Sequence, residues 1–220
     1  MTTKPVKAQK AGQFNRSGNV HYRVDTSDSG SSLVELSVDY ERAPIPDHTY
    51  VADFFDVSQV ESEVLILFGK LNTPSATSLR NKVEIYFPAE TFVHQLWNTS
   101  RRLHEIVAAR VKELGRTAKD CSAVSVETDK VQTLTANNAL VVLAGGQCMI
   151  DFFLISAKDL WIKTSKGDPL GLDALVRVYM NEPLLLGFLN RCDSVAKDLI
   201  ANLNLALPEG NNENMEPIEL

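Results

Sequence analysis

The side chains best suited to chemistry are four histidines, three cysteines and one carboxylate inside an apolar run. His94 and His104 share one helix-like stretch, but ten residues at about 100° each put them on different faces, and no shared metal site is expected. His94 follows Glu90 by four residues, the spacing of a helix-surface pair, while His21 and His48 lie elsewhere. Cys121, Cys148 and Cys192 are an odd number without zinc-ligand or disulfide spacing, and Cys148 and Cys192 sit in apolar runs as small core residues. Gly69-Lys70 lacks the upstream glycine and following Ser/Thr of a phosphate loop. Gly145-Gly146 precedes a strand, so it reads as a hairpin turn rather than an anion cradle. No Gly-x-Ser-x-Gly elbow is present. Asp151 interrupts Cys148–Phe153, and strand alternation turns it away from Ile150 and Phe152, as an outward-facing carboxylate. No acid, base and nucleophile set can be assembled, so the expectation is a protein without catalytic residues, cofactor or metal.

The basic residues are the remaining candidates. Lys4, Lys7 and Lys10, with Arg16 and Arg23, fall in a segment without carboxylates, and Arg101, Arg102 and Arg110 lead into Lys112, Arg116 and Lys119. Cations suit the C-terminal half of a helix, and the same residues form a possible partner-binding patch. The net charge of −6 and the lack of aromatic interleaving argue against a dedicated nucleic-acid binder. A basic arm touching nucleic acid is the lesser alternative.

The elements that would hold these residues follow from periodicity. Residues 31–41 alternate as a strand, and Pro44 and Pro46 then break the pattern. Residues 51–58 and 63–69 form a hairpin around Gln59–Ser62, and Leu79–Phe87 is a third strand. Pro88-Ala89-Glu90 opens a helix to about residue 114, with Phe92, Leu96, Leu103, Ile106, Val107 and Val111 as its buried stripe and Gly115 as its stop. A second hairpin (136–144, 147–156), a loop through 158–172, a strand over 173–180 and a helix capped by Asn181 repeat this order, with Leu185, Phe188, Leu189, Cys192, Val195 and Leu199 on the helical stripe.

Set against each other, the halves align Ala52 with Ala136, Val57 with Val141, Ile66 with Ile150 and Phe68 with Phe152; after a longer connection, Val83 falls on Val176 and Tyr86 on Tyr179. The expected fold is α+β: a mostly antiparallel sheet with two long amphipathic helices, as a tandem βββα repeat with pseudo-twofold symmetry. The divisions are a flexible basic tail over 1–24, a first unit with a preceding strand over 25–119, a second over 120–205, and an acidic tail over 206–220 carrying Glu209, Glu213, Glu216 and Glu219.

Over residues 50–105, Tyr50-Val51-Ala52-Asp53, Val64–Phe68, Arg80–Tyr86, Pro88 and the helix from Leu96 through Leu103 to Glu105 resemble a small bacterial domain family of unknown function. Asp53 stands where that family has Asn, and His104-Glu105 where it closes with Tyr-Glu. The resemblance implies no reaction. The Ile85-Tyr86-Phe87-Pro88 entry to a helix and the late Leu203–Pro208 run are similar to SecB-type export and antitoxin chaperones, without their glycine-phenylalanine signature.

The N-terminus is not cationic-then-apolar and no stretch has the length of a membrane span, so a cytoplasmic protein without a membrane segment is expected. A sheet with only two helices to cover it needs a partner. The function expected is non-enzymatic protein binding or self-association through a sheet edge, a sheet face or the helix grooves, with a SecB-like chaperone as an alternative.

Overall fold

The computed structural model describes residues 15–17, 20–26, 32–39, 45–71, 79–119, 121, 131–144, 147–166 and 170–203. The chain divides into two compact units, Met1–Pro46 with Ile155–Ala174, and Asp47–Leu154 with Leu175–Leu220.

In the first unit, β1 (Asn15–Ser17), β2 (Val20–Thr26) and β3 (Ser32–Val38) form an antiparallel sheet in that order. Residues 15–17 and 20–24 therefore lie in strands, which corrects the tail reading over that part. Val20, Tyr22 and Val24 alternate with His21, Arg23 and Asp25, a period of two masked by the basic composition. Residues 157–166 form a helix where a loop was expected. The Ser156 hydroxyl accepts from the Asp159 N–H (3.2 Å), capping the first turn. Its apolar Leu160, Trp161 and Ile162 are consecutive rather than spaced by a turn, which hid the helix from periodicity.

The second unit is α+β. It contains β4 (Thr49–Val51), β5 (Phe54–Val60), β6 (Glu63–Leu71), β7 (Leu79–Pro88), β8 (Gln132–Thr135), β9 (Asn138–Ala144), β10 (Gln147–Phe153) and β11 (Val176–Asn181). Two helical stretches accompany them. The first runs α1 (Ala89–Thr91), a π-helical segment (Phe92–Trp97) and α2 (Asn98–Glu113); with the short helix of the first unit as α3 (Ala157–Lys166), the second is α4 (Glu182–Leu203). The hairpins, third strands and long helices of both expected repeats fall in this unit, whereas residues 25–46 and 155–174 fall in the other.

The strands make two four-stranded sheets, β5-β6-β7-β8 and β4-β11-β10-β9, antiparallel except for the pairs β7–β8 and β4–β11. The short strand leading each half pairs in parallel with the third strand of the other half. Registers match at the residues aligned in sequence: Val57 opposite Ile66 and Val141 opposite Ile150; Ile66 opposite Ile85 and Ile150 opposite Val178. The crossings match too. The Ala52 N–H donates to the Tyr179 carbonyl and the Ala136 N–H to the Tyr86 carbonyl, both at 2.9 Å.

One core joins these elements. Phe152 lies 5.9 Å from Phe68 and 6.1 Å from Phe87, ring centre to ring centre, so the facing strands of the two sheets meet through aromatic edges. Phe188 of α4 completes the group, 5.3 Å from Phe68 and 5.8 Å from Phe55. Phe92, Val93, Leu96 and Trp97 are all buried because a π segment widens the stripe that an α-helix would present. Ile106, placed on that stripe by sequence, is 52% exposed; the buried line beyond the π segment runs through Ser100, Val107 and Val111.

Both helix boundaries read from sequence are seen. Gly115 adopts φ 63° just past α2, and the Asn181 side chain accepts from the Leu184 N–H (2.9 Å). Gly187 is required for packing: a Cβ there would stand 2.0 Å from the Lys119 carbonyl oxygen, where the segment after α2 crosses α4 and the Lys119 N–H donates to Pro183 (2.9 Å). Among the described residues no helix is long and apolar enough to cross a membrane.

Candidate functional site: open sheet edges and the helix groove

α2 and α4 pack antiparallel, with Trp97 reaching Asp193, His104 reaching Asn190 and Arg110 reaching Glu182. The Trp97 Nε1–H donates to Asp193 Oδ1 (3.0 Å), and Arg101 stacks 5.1 Å from the centre of the Trp97 ring. Lys197 pairs with the second Asp193 oxygen from one turn further along α4. These side chains, with Ile200 and Ala201, line a groove of about 410 Å³. Burial pushes the Asp193 carboxyl up, but the hydrogen bonds from Lys197 and Trp97 and the charges of Lys197 and Arg101 hold it below its ordinary value.

Of the basic residues singled out by sequence, Lys4, Lys7 and Lys10 lie outside the described residues. The three arginines do different things. Arg101 stacks on Trp97, Arg102 is exposed, and Arg110 Nη2 lies 2.7 Å from Glu182 Oε1, an ion pair without hydrogen-bond alignment across the α2–α4 contact. Glu182 is 2% exposed, at the start of α4. Cys148 is buried nearby; desolvation and the Glu182 charge push its thiol up to about 11 against the opposing pull of Arg110. Cys192 is buried as expected and its thiol is likewise raised by desolvation.

Asp151 requires a correction. It does turn away from Ile150 and Phe152, but it is 1% exposed rather than solvated. Arg177, its register partner on β11, donates from Nε and Nη2 to its two oxygens at 2.8 Å each. This bidentate bond to Asp151 raises the Arg177 pKa above its usual value. The repeat alignment carried the signal, because Asp151 and Arg177 align with Leu67 and Glu84, which also face each other across two strands.

The motif residues of the first half act as joints. The Tyr50 hydroxyl bonds the Gln132 side chain, linking β4 to β8, and Asp53 Oδ1 accepts from the Leu71 N–H (2.7 Å) while its carbonyl accepts from Lys119. A second cleft of about 460 Å³ lies beside Tyr50, between Asp47–Val51 and Lys70. Among the described residues no group of three His, Cys, Asp or Glu side chains is placed to hold a metal ion.

The sheet edges differ sharply. β4 and β8, at one end of each sheet, are three and four residues long. β5 has seven residues but carries Asp56, lies against α4, and has its Val57 carbonyl bonded by Arg191 Nε (3.0 Å). β9 is also seven residues long, has no charged residue, and is hydrogen-bonded only to β10 among the described residues. Its Leu140, Val141, Val142 and Leu143 are each half-buried. Sequence marked this segment as apolar, but only the strand order makes it an edge. Compared with family models, curated proteins and solved structures, the chain finds no match.

Proposed function

We propose that this is a non-enzymatic protein-binding or assembly module that works by adding a strand to an open sheet edge, with the α2–α4 groove as a secondary contact. The supporting observation is β9, seven uncharged residues paired only with β10 among the described residues, whereas the other edges are short or carry a charge and an arginine bridge. Edges in natural proteins are blunted by charge, proline, shortness or cover; β9 carries no charge or proline and is not short, and a helical element, the π segment Phe92–Trp97, lies beside it as α4 lies beside β5. An extended chain laid along it gains backbone hydrogen bonds, and the half-buried aliphatic side chains gain cover.

The test combines light scattering of the full chain with titration of a dye-labelled, reduced and alkylated unfolded protein. Self-association or saturable binding of the unfolded chain is expected. A monomer that binds no unfolded chain at any accessible concentration contradicts the reading. Binding of many unrelated unfolded chains would give it the form of a chaperone.

A further inference from the structure

From the same edge we infer that the partner of β9 is β9 of a second copy, paired antiparallel about a twofold axis perpendicular to the sheet; this rests on the protein-binding reading above. A twofold axis of that kind requires equivalent faces to coincide, so the axis passes through a residue rather than between two. Centred on Val141, the pairing sets Val141 opposite its own copy, Leu140 opposite Val142, and Ala139 opposite Leu143. Centred on Val142, it sets Val141 opposite Leu143.

Aliphatic meets aliphatic from Ala139 to Leu143 in the first register and from Leu140 to Ala144 in the second, and no like charges face each other in either. That neutrality favours a second copy over a charged client strand, which would bring an unpaired charge against these positions. The product is one eight-stranded sheet across the two copies, in the order β4-β11-β10-β9-β9-β10-β11-β4. The other seven-residue edge is less suited, because Arg191 occupies the Val57 carbonyl and Asp56 would face its own copy in the register centred on it.

The full chain with Val142→Lys, and separately with Val142→Glu, tests this by sedimentation. Val142 is half-buried and pairs with Met149 on the face opposite the core side chains Val141 and Ile150. Wild type is expected to sediment as a dimer, each variant as a monomer with unchanged far-ultraviolet circular dichroism, and an equimolar mixture of Val142→Glu with Val142→Lys (register centred on Val142) or with Leu140→Lys (register centred on Val141) as a dimer, because Lys then faces Glu. A single variant that loses its circular dichroism is replaced by Leu140→Lys, whose position pairs with Asp151 of β10 and which is likewise expected to sediment as a monomer.

A dimer that persists in both single variants, or failure of both mixtures to dimerise, overturns the β9 pairing. A monomeric wild type overturns it too. In that case binding of the unfolded probe separates the two failures: probe binding abolished by Val142→Lys leaves strand addition standing and removes only the second copy, whereas no probe binding removes both.

Discussion

Arg177 and Asp151 form two parallel hydrogen bonds at a place where the carboxylate has lost nearly all contact with water. The cost of desolvating both charges offsets much of their attraction, so the pair is specific rather than strongly stabilising. Removing one partner leaves the other charge buried. Arg177→Leu is therefore expected to lower unfolding free energy by about 3–5 kcal/mol, and Asp151→Leu with Arg177→Leu to recover most of that loss, as read from urea melts. Asp193 acts in the opposite environment, beside solvent. Its folded pKa is held below the unfolded value, so its contribution is present above about pH 4 and is lost as pH falls through the folded value. Asp193→Asn should flatten the acid limb of the stability profile below about pH 4 and leave neutral-pH circular dichroism unchanged. Of the two carboxylates, sequence singles out only Asp151, as an interruption of an apolar run, and turns it outward. It could not supply their surroundings, because the partner of Asp151 is 26 residues away and becomes a neighbour only when β10 and β11 pair.

Periodicity fixes an element when packing has one dominant face. The two hairpins, the third strands and α4 are cases of this, and their ends carry local chemistry in Gly115 and Asn181 that is readable without coordinates. β8 escaped notice because Gln-Thr-Leu-Thr offers one apolar residue, and what makes it a strand is pairing with β7. The π segment broke the helical stripe near Trp97, so that Ile106 was placed inside and Trp97 was missed. Gly187 shows the limit of propensity reasoning. In an open helix, Gly→Ala stabilises by about 1 kcal/mol, yet here the new Cβ would meet the Lys119 carbonyl at 2.0 Å. Gly187→Ala should reverse that sign, lowering stability by about 1–3 kcal/mol and the midpoint of thermal unfolding with it.

Across the whole molecule, each half lends its leading strand to the other's sheet, and a single core runs through both. We propose that the halves arose by duplication, supported by the matched registers at Val57/Val141, Ile66/Ile150 and Tyr86/Tyr179. The two halves differ at their seven-residue edge strands. Arg191 of α4 covers the β5 edge, and the residue aligned with it in the first helix is Asn98, too short to make the same bridge to β9. The openness of β9 was not legible in the sequence, since an apolar segment does not reveal which strand ends a sheet. It is also the feature on which the functional reading depends. Hydrogen exchange of the unmodified protein across a range of concentrations examines it directly. The account predicts that amides of Asn138–Ala144 become slower to exchange as concentration rises, while those of β5 do not change. Exchange in β9 that is fast and independent of concentration, in a protein that light scattering shows to be self-associated, would contradict it.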